Sequence, residues 1–197
     1  FGITPNAPET GYGYIQRGVE CAQTPGVFAV DRFVEKPALD AARGYLADGG
    51  YCWNSGLFLM QPTAYLEALA QHAPQIAQAA DASFTQRTEE MQFIRPNAEA
   101  FQAAESVSID VAVMEKTQQA AVVPVDCGWN DLGAWSALWH SQEKDQNGNV
   151  LCGRAVALES ENTYVFAQNQ LVTVIGVSNL VVVQTRDAVL VLSLIHI

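Results

Sequence analysis

The chain has 197 residues, a formal net charge of −11, 49% hydrophobic residues and 16% charged residues. This length and composition are typical of one sizeable folded domain, or of one domain with a small addition. The acidic balance argues against nucleic acid and against an anionic membrane as partners, because both need a basic surface. No stretch approaches the roughly 20 apolar residues of a membrane span.

The first part of the chain predicts alternating strands and helices. Residues 27–34 alternate apolar and polar side chains, which predicts a strand that stops at Pro37. Pro37 also suits the first turn of a helix that ends at Gly49-Gly50. Residues 51–60 predict a second strand, interrupted by Asn54-Ser55-Gly56.

Pro62 is expected to open a further helix and Pro74 to kink it, whereas the polar residues 85–96 predict a loop. Ser108 or Asp110 is expected to cap a later helix. The remaining predictions in this part are a short helix, a buried strand, a tight loop and a helix, over residues 98–104, 121–125, 128–133 and 134–140. Such alternation favours an α/β layered domain over residues 1–145.

The pattern changes after residue 145 to short β runs without helical periodicity. These runs cover residues 150–158, 163–167, 171–177, 180–184 and 188–192. Their regular spacing favours a β-helix-like segment over residues 146–192, and a small sandwich is the alternative.

The cysteines are widely spaced and form no C-x-x-C pair, which disfavours structural zinc and a disulfide framework. They are Cys21, Cys52, Cys127 and Cys152. This spacing predicts buried or half-buried free thiols in a reducing cytoplasm. No signal peptide is recognised in the sequence.

Two short motifs stand at the ends of neighbouring predicted strands. Glu35-Lys36-Pro37 ends the first, and Trp53-Asn54-Ser55-Gly56 interrupts the second. An ammonium group binds phosphate, while a carboxylate and an amide bind hydroxyl groups, so the motifs suit a phosphorylated sugar. The alternative is an ordinary surface Glu–Lys pair before a turn proline. Phosphate substrates on an acidic protein also call for a divalent cation.

Three further candidates are less specific. Asp131 lies in a glycine-bounded turn after a predicted strand, where a carboxylate suits Mg²⁺, but it could instead cap the next helix. Asp110 suits a helix N-cap as well as a site. The loop Gly11-Tyr12-Gly13 would let a sugar or a phosphate pack closely, and it also suits a plain hairpin.

Taken in order, five motifs resemble those of mannose-1-phosphate guanylyltransferases, especially the bacterial long form that a mannose-6-phosphate isomerase domain follows. They are Pro8-Glu9-Thr10-Gly11-Tyr12-Gly13-Tyr14-Ile15, Phe33-Val34-Glu35-Lys36-Pro37, Trp53-Asn54-Ser55-Gly56, Ser108-Ile109-Asp110 with Val113-Met114-Glu115-Lys116, and Gly128-Trp129-Asn130-Asp131-Leu132-Gly133. The tail over residues 180–191 also resembles the linker and β-helix-like region of that family.

The resemblance implies an α/β fold: the C-terminal part of a Rossmann-like nucleotidyltransferase domain with a mixed sheet, followed by a short all-β, left-handed β-helix-like segment. It implies transfer of GMP from GTP to mannose 1-phosphate, which gives GDP-mannose and pyrophosphate for nucleotide-sugar and polysaccharide biosynthesis. GTP and mannose 1-phosphate are then the partners and Mg²⁺ the cofactor, and a homo-oligomer is left open.

The resemblance also implies roles for individual residues. Glu35 would hold mannose hydroxyls, Lys36 the sugar phosphate, and Asp131 would be one of two carboxylates that bind Mg²⁺. The implied catalytic residues are Lys36 and Asp131. The implied substrate-binding residues are Gly11, Tyr12, Gly13, Glu35, Lys36, Asn54 and Asp110.

Parts of the family pattern lie outside this sequence. The glycine-rich nucleotide loop and the second metal-binding aspartate are expected before Phe1, so this stretch is expected to be the sugar-binding half and inactive alone. We expect residues 193–197 to be a non-native tail, which leaves His196 without a role. The alternative functions are another sugar-1-phosphate nucleotidyltransferase and a non-catalytic subunit that senses a sugar nucleotide.

Overall fold

The computed structural model describes residues 1–195, which form two compact units, Phe1–Trp129 and a second that begins at Asn130. The predicted boundary at residue 145 rests on the change of sequence pattern and stays a prediction. Within the described residues no helix is long and apolar enough to cross a membrane.

The first unit combines one six-stranded sheet with helices and a small hairpin. Its strands are β1 (Gly2–Ile3), β2 (Tyr14–Glu20), β3 (Phe28–Val34), β4 (Tyr51–Asn54), β5 (Thr88–Glu90), β6 (Phe93–Arg95), β7 (Ala121–Val122) and β8 (Pro124–Val125). Its helices are α1 (Leu39–Asp48), α2 (Pro62–His72), α3 (Pro74–Thr85), α4 (Ala98–Gln102) and a π-helical turn, Asp110–Met114.

The main sheet has the strand order β7-β3-β2-β4-β1-β8. Strands β1 and β8 are parallel, and the other neighbouring pairs are antiparallel. The predicted mixed sheet of an α/β domain is therefore confirmed. Its core is built from buried side chains that include Tyr14, Trp53 and Phe33.

Glycine and proline mark several element ends as expected, with two corrections. Helix α1 ends at Gly49, whose φ of 73° is left-handed and whose N–H donates to the Tyr45 carbonyl. Pro37, however, precedes the helix, which begins at Leu39. Pro74 does not kink a helix but begins a new one, because its missing N–H and fixed φ suit a first turn.

The prediction of a strand over residues 51–60 is wrong beyond Asn54. The Asn54 side chain accepts the Gly56 N–H at 3.0 Å, and Gly56 has a φ of 72°. This side-chain turn directs the chain out of the sheet, so the residues after Gly56 are not in a strand.

Two other expectations are corrected. The predicted loop over residues 85–96 contains the hairpin β5–β6, whose strand residues are all exposed and so show no apolar alternation to read. The predicted strand over 121–125 is two short strands. Because β7 pairs with β3 and β8 pairs with β1, this segment links the two edges of the sheet.

The second unit is a helix followed by a four-stranded sheet. Its elements are α5 (Trp135–Ser141), β9 (Val150–Leu158), β10 (Tyr164–Ile175), β11 (Leu180–Gln184) and β12 (Val189–Ser193). The sheet order is β12-β11-β10-β9, with β9, β10 and β11 parallel and β12 antiparallel. Successive parallel strands stacked as neighbours are the arrangement of a β-helix-like coil, so this part of the fold class is confirmed. The left-handed winding stays a prediction.

Strand β10 joins two predicted β runs through a register shift between Ala167 and Val172. The buried Gln184 side chain accepts the N–H groups of Asn169 and Gln170 at 3.0 and 3.1 Å, which satisfies the amides that the shift leaves without a strand partner. Opposite the shift, Gly153 has a φ of 76°, and the Ala167 carbonyl lies where a Cβ would stand. A side-chain amide and a glycine thus build the bulge together.

The end of the described chain is part of this sheet. Ser193 pairs with Leu180, and the Leu194 N–H donates to the Asn179 carbonyl at 2.8 Å, with Leu194 buried. Whether residues 193–197 are native stays a prediction, and His196 lies outside the described residues.

Candidate functional site

Strand register in the first unit brings three chain segments to the same edge of the sheet. Tyr14 pairs with Val34 on one side and with Trp53 on the other. The residues one step further on, Gly13 and Asn54, are joined by a hydrogen bond from the Asn54 N–H to the Gly13 carbonyl at 2.7 Å. Glu35 completes the group, because it follows Val34.

Gly13 is buried where the other two side chains meet. A Cβ at Gly13 would lie 2.7 Å from Glu35 Oε2 and 3.2 Å from Asn54 Cβ, so the Glu35 carboxylate fits only because this residue is a glycine. Gly11, in contrast, is exposed, and a Cβ there would meet nothing within 4 Å. The structure therefore brings Gly13 into the cluster and leaves Gly11 outside it.

Lys36 stands beside Glu35 with its ammonium group in solvent. The Lys36 Nζ is 3.5 Å from Glu35 Oε1, and the side chains are 65% and 18% exposed. Lys36 also has a φ of 45°, in the left-handed region that a non-glycine residue rarely adopts. Such strain is commonly found at functional positions, so the backbone conformation supports a role for this lysine.

Asp110 orients Asn54. The Asn54 Nδ2 donates to Asp110 Oδ1 at 2.9 Å, while Asn54 Oδ1 accepts the Gly56 N–H. The amide keeps one N–H and one lone pair for a ligand. Asp110 begins the π-helical turn, so the predicted N-cap is replaced by a contact with another candidate residue.

Glu115 is a member of the cluster to which the sequence assigned no role. Its Oε1 accepts the backbone N–H of Glu35 at 2.9 Å, across 80 residues of sequence. The only signal in the sequence is its place in the motif around Asp110, which is too general to assign this contact.

The electrostatics of the cluster are dominated by carboxylates. Burial raises the pKa of Glu35, and the charges of Asp110 and Glu115 raise it further, whereas the Lys36 ammonium opposes them. The cluster therefore combines one cation with three acidic side chains. Carboxylates accept from hydroxyl groups, and the Lys36 ammonium is the member of the cluster that attracts a phosphate.

Tyr12 lies beside the cluster in an aromatic group. Its ring centroid is 5.1 Å from that of Trp53 and 5.5 Å from that of Trp129, both in edge-to-face geometry. These contacts hold the loop before β2 against the core, so Tyr12 has a packing role whatever it binds.

Asp131 belongs to the second unit and is exposed in a tight turn. The Leu132 N–H donates to Asn130 Oδ1 at 2.9 Å, and Leu132 has a φ of 48°. Helix α5 has Ala134 at its N-cap and no side-chain cap, so Asp131 does not cap it. Among residues 1–195 no group of three or more His, Cys, Asp or Glu side chains could hold a metal ion. The role of Asp131 in binding Mg²⁺ stays a prediction.

The raised pKa of Glu35 predicts a stability effect with a definite sign. Because its folded pKa lies above the ordinary 4.5, wild type loses stability as pH rises from that value through the folded pKa. We expect Glu35→Gln to raise the melting temperature relative to wild type by an amount that grows over this range and then levels off. Thermal unfolding followed by circular dichroism at several pH values measures this difference in melting temperature. The control is Glu67→Gln, at an exposed position of α2.

The fold and the motifs are those of one protein class. Residues 1–148 match the model of the nucleotidyl transferase family, and the chain belongs to that family. Residues 153–194 match a second model, the MannoseP isomerase/GMP-like beta-helix domain, which agrees with the parallel coil of β9, β10 and β11.

Within that class the chain is similar to bacterial proteins that include mannose-1-phosphate guanylyltransferases. The chain is 48% identical over 193 residues to a mannose-1-phosphate guanylyltransferase of Escherichia coli (strain K12), a match that covers 97% of this chain and 40% of that protein. It is 49% identical over 191 residues to the xanthan biosynthesis protein XanB of Xanthomonas campestris, with 97% and 40% covered. The resemblance to mannose-1-phosphate guanylyltransferases is confirmed. The chain spans about 40% of the length of these relatives.

A solved structure shows the same fold. The crystal structure of mannose-1-phosphate geranyltransferase from Thermus thermophilus superposes with a TM-score of 0.80 and 34% identity, and it covers 98% of this chain and 54% of that one. The similarity therefore extends through both units.

Proposed function

We propose that this chain supplies the sugar-phosphate side of a mannose-1-phosphate guanylyltransferase. The reaction is transfer of GMP from GTP to mannose 1-phosphate, which yields GDP-mannose and pyrophosphate. The observation that carries the proposal is the cluster in which Glu35 and Asn54 meet around Gly13, with Lys36 paired to Glu35. The names of the similar proteins support the choice of sugar and nucleotide.

In this proposal the cluster binds and orients the sugar phosphate. The Lys36 ammonium contacts the phosphate, the Glu35 carboxylate accepts from mannose hydroxyls, and the remaining Asn54 N–H donates to a hydroxyl. A phosphate oxygen of mannose 1-phosphate then attacks the α-phosphorus of GTP, and pyrophosphate leaves on the opposite side. The chain's contribution is positioning and neutralisation of charge, so no covalent enzyme intermediate is needed.

Asp131 is proposed as one ligand of Mg²⁺. Its support is the exposed carboxylate in a strained turn and the resemblance of the motif over residues 128–133. When bound, the ion would offset negative charge on the phosphates. The remaining ligands have to come from the substrates or from residues outside this sequence.

The Asp131 proposal predicts a change in magnesium dependence. We expect Asp131→Asn to raise the Mg²⁺ concentration for half-maximal pyrophosphate release by about 10-fold, because an amide replaces an anionic ligand. The measurement is a magnesium titration at saturating GTP and mannose 1-phosphate. The control is Asp126→Asn, which removes an exposed carboxylate a few residues earlier in the chain. Equal magnesium curves for Asp131→Asn and wild type would assign Asp131 to the turn alone.

The main test uses the protein encoded by the complete reading frame. We expect pyrophosphate release with GTP and mannose 1-phosphate, and much slower release when ATP, UTP, CTP or dTTP replaces GTP or when glucose 1-phosphate replaces mannose 1-phosphate. Release with another pair of substrates would favour a different sugar nucleotidyltransferase. Binding of GDP-mannose without release from any pair would favour a sensing subunit.

Two wider assignments accompany the proposal. The name of the xanthan biosynthesis relative supports a place in polysaccharide biosynthesis. The free state of all four cysteines favours a reducing compartment, so a cytoplasmic location is proposed.

A further inference from the structure

The π-helical turn Asp110–Met114 holds the ends of two strands at once. Asp110, its first residue, accepts the Asn54 side chain, and Glu115, just after its last residue, accepts the backbone N–H of Glu35. Asn54 ends β4, and Glu35 follows β3. One short turn thus fixes the two strand ends that carry the candidate sugar-phosphate residues.

The turn itself is fixed to the core. Ala112 and Val113 are 3% exposed and pack with Leu69 of α2, and Met114 packs against the cluster of Ile15, Phe33 and Val122 beneath the sheet. The Glu115 N–H donates to the Asp110 carbonyl, which closes the wide π turn. A residue inserted into a helical turn in this way is frequent at functional sites, because it redirects side chains.

A purely stabilising role does not explain the choice of a glutamate at this position. The charge of Glu115 raises the pKa of Glu35, so the two carboxylates repel each other across this contact. An amide or a hydroxyl group could accept the same N–H without that repulsion. What the carboxylate provides is a strong acceptor for the N–H of the Val34–Glu35 peptide, one residue before Lys36.

Lys36 is the residue that depends on this contact. Its φ of 45° is strained, so a Lys36 released from its neighbours would move to the extended backbone that a residue before proline prefers. Such a change at Lys36 would carry its ammonium group away from the Glu35 carboxylate. The Glu115 hydrogen bond holds the Val34–Glu35 peptide, one residue before this strained position.

We propose that Glu115 is a positioning residue that holds the Glu35–Lys36 backbone, and so sets where the Lys36 ammonium meets a sugar phosphate. The inference rests on the proposed function and names a residue outside the ligand contacts. Glu115 touches no reacting atom in this scheme; it acts through Lys36.

The test is a double-mutant cycle in the protein of the complete reading frame. We expect Glu115→Ala to raise the KM for mannose 1-phosphate about 10-fold, with the KM for GTP unchanged. In a Lys36→Ala background the same change should raise it less than 2-fold, because the residue it positions is gone. Glu115→Gln, which keeps a neutral and weaker acceptor oxygen, should raise this KM by an intermediate amount. Glu67→Ala, at an exposed position of α2, is the matched control.

Two results would overturn the inference. One is an equal increase of KM for mannose 1-phosphate in Glu115→Ala and Glu115→Gln, since the acceptor oxygen would then make no difference. The other is a double variant in which KM for mannose 1-phosphate rises by the product of the two single-variant increases, since Glu115 and Lys36 would then act independently.

Failure of the proposed function gives a different result from failure of the positioning inference. The proposed function fails if wild type binds a hexose 1-phosphate in calorimetry but releases no pyrophosphate from mannose 1-phosphate and GTP. The double-mutant cycle is then measured with the dissociation constant of that hexose 1-phosphate in place of KM. If wild type binds none, the positioning inference fails with it.

Discussion

Replacing Lys36 by alanine is expected to lower kcat/KM for mannose 1-phosphate about 30-fold or more. The removed group makes the proposed charge-assisted contact with the sugar phosphate, and loss of such a contact costs about 2 kcal/mol of transition-state binding. The effect should be large here because the protein is acidic and has three lysines, of which only Lys36 lies in the cluster. Steady-state pyrophosphate release, with mannose 1-phosphate varied at saturating GTP, measures it.

Lys144→Ala is the matched control, because it removes a lysine of the second unit whose Nζ contacts the carbonyls of His140 and Gln142. It should change kcat/KM less than 2-fold, as expected for a surface charge. Unchanged kcat/KM in Lys36→Ala would show that this lysine is only the surface partner of Glu35. A fall in kcat/KM with folding intact, judged by an unchanged circular dichroism spectrum, would support the phosphate contact.

Replacing Gly153 by alanine is expected to destabilise the second unit by about 3 kcal/mol. About 1 kcal/mol comes from placing an L-residue at a φ of 76°, and the rest from the collision of the new Cβ with the Ala167 carbonyl. The carbonyl is backbone in a paired strand, so it cannot rotate away as a side chain could. Urea unfolding gives the total, and hydrogen exchange of peptides from β9 and β10 localises the loss.

Gly176 provides the control for this experiment. It also has a positive φ, 64°, but a Cβ there would meet nothing within 4 Å. Gly176→Ala should therefore show only the conformational cost of about 1 kcal/mol. If the two variants lose equal stability, the close approach of β9 and β10 at Gly153 has no energetic weight.

Local sequence was sufficient for the elements that end at the site. The alternation before Glu35 and the run before Asn54 predicted strands, and the sheet register then placed these residues side by side. The resemblance implied a substrate-binding role for Gly13, which stays a prediction. The structure places this glycine beside Glu35, whose carboxylate occupies the place of its Cβ.

The contacts that orient the site could not be predicted, because they depend on distant packing. Asp110 meets Asn54 across 56 residues, and Glu115 meets Glu35 across 80. Both contacts depend on the π-helical turn, which is held in place where Ala112 and Val113 pack against α2. Nothing in the local sequence distinguishes that turn from the start of an ordinary helix. The position of Asp131 relative to the cluster stays a prediction.

The second unit shows the same limit in its strands. The polar interruption between the two predicted runs indicated a turn, but the structure continues as β10 because Gln184, 14 residues beyond Gln170, accepts the interrupted amides. Residues 88–95 were missed for the opposite reason, because a hairpin with both faces exposed carries no hydrophobic period.

The bulge in β10 limits how this chain can diverge. Gly153 and Gln184 lie on different strands, yet each is useful only while the other is present: the glycine admits the displaced strand, and the amide satisfies its N–H groups. Loss of Gln184 leaves a glycine with no displaced strand to admit. Loss of Gly153 leaves the buried Gln184 side-chain oxygen without its two N–H donors. The two positions should therefore be inherited and lost together, as a correlated pair across lineages.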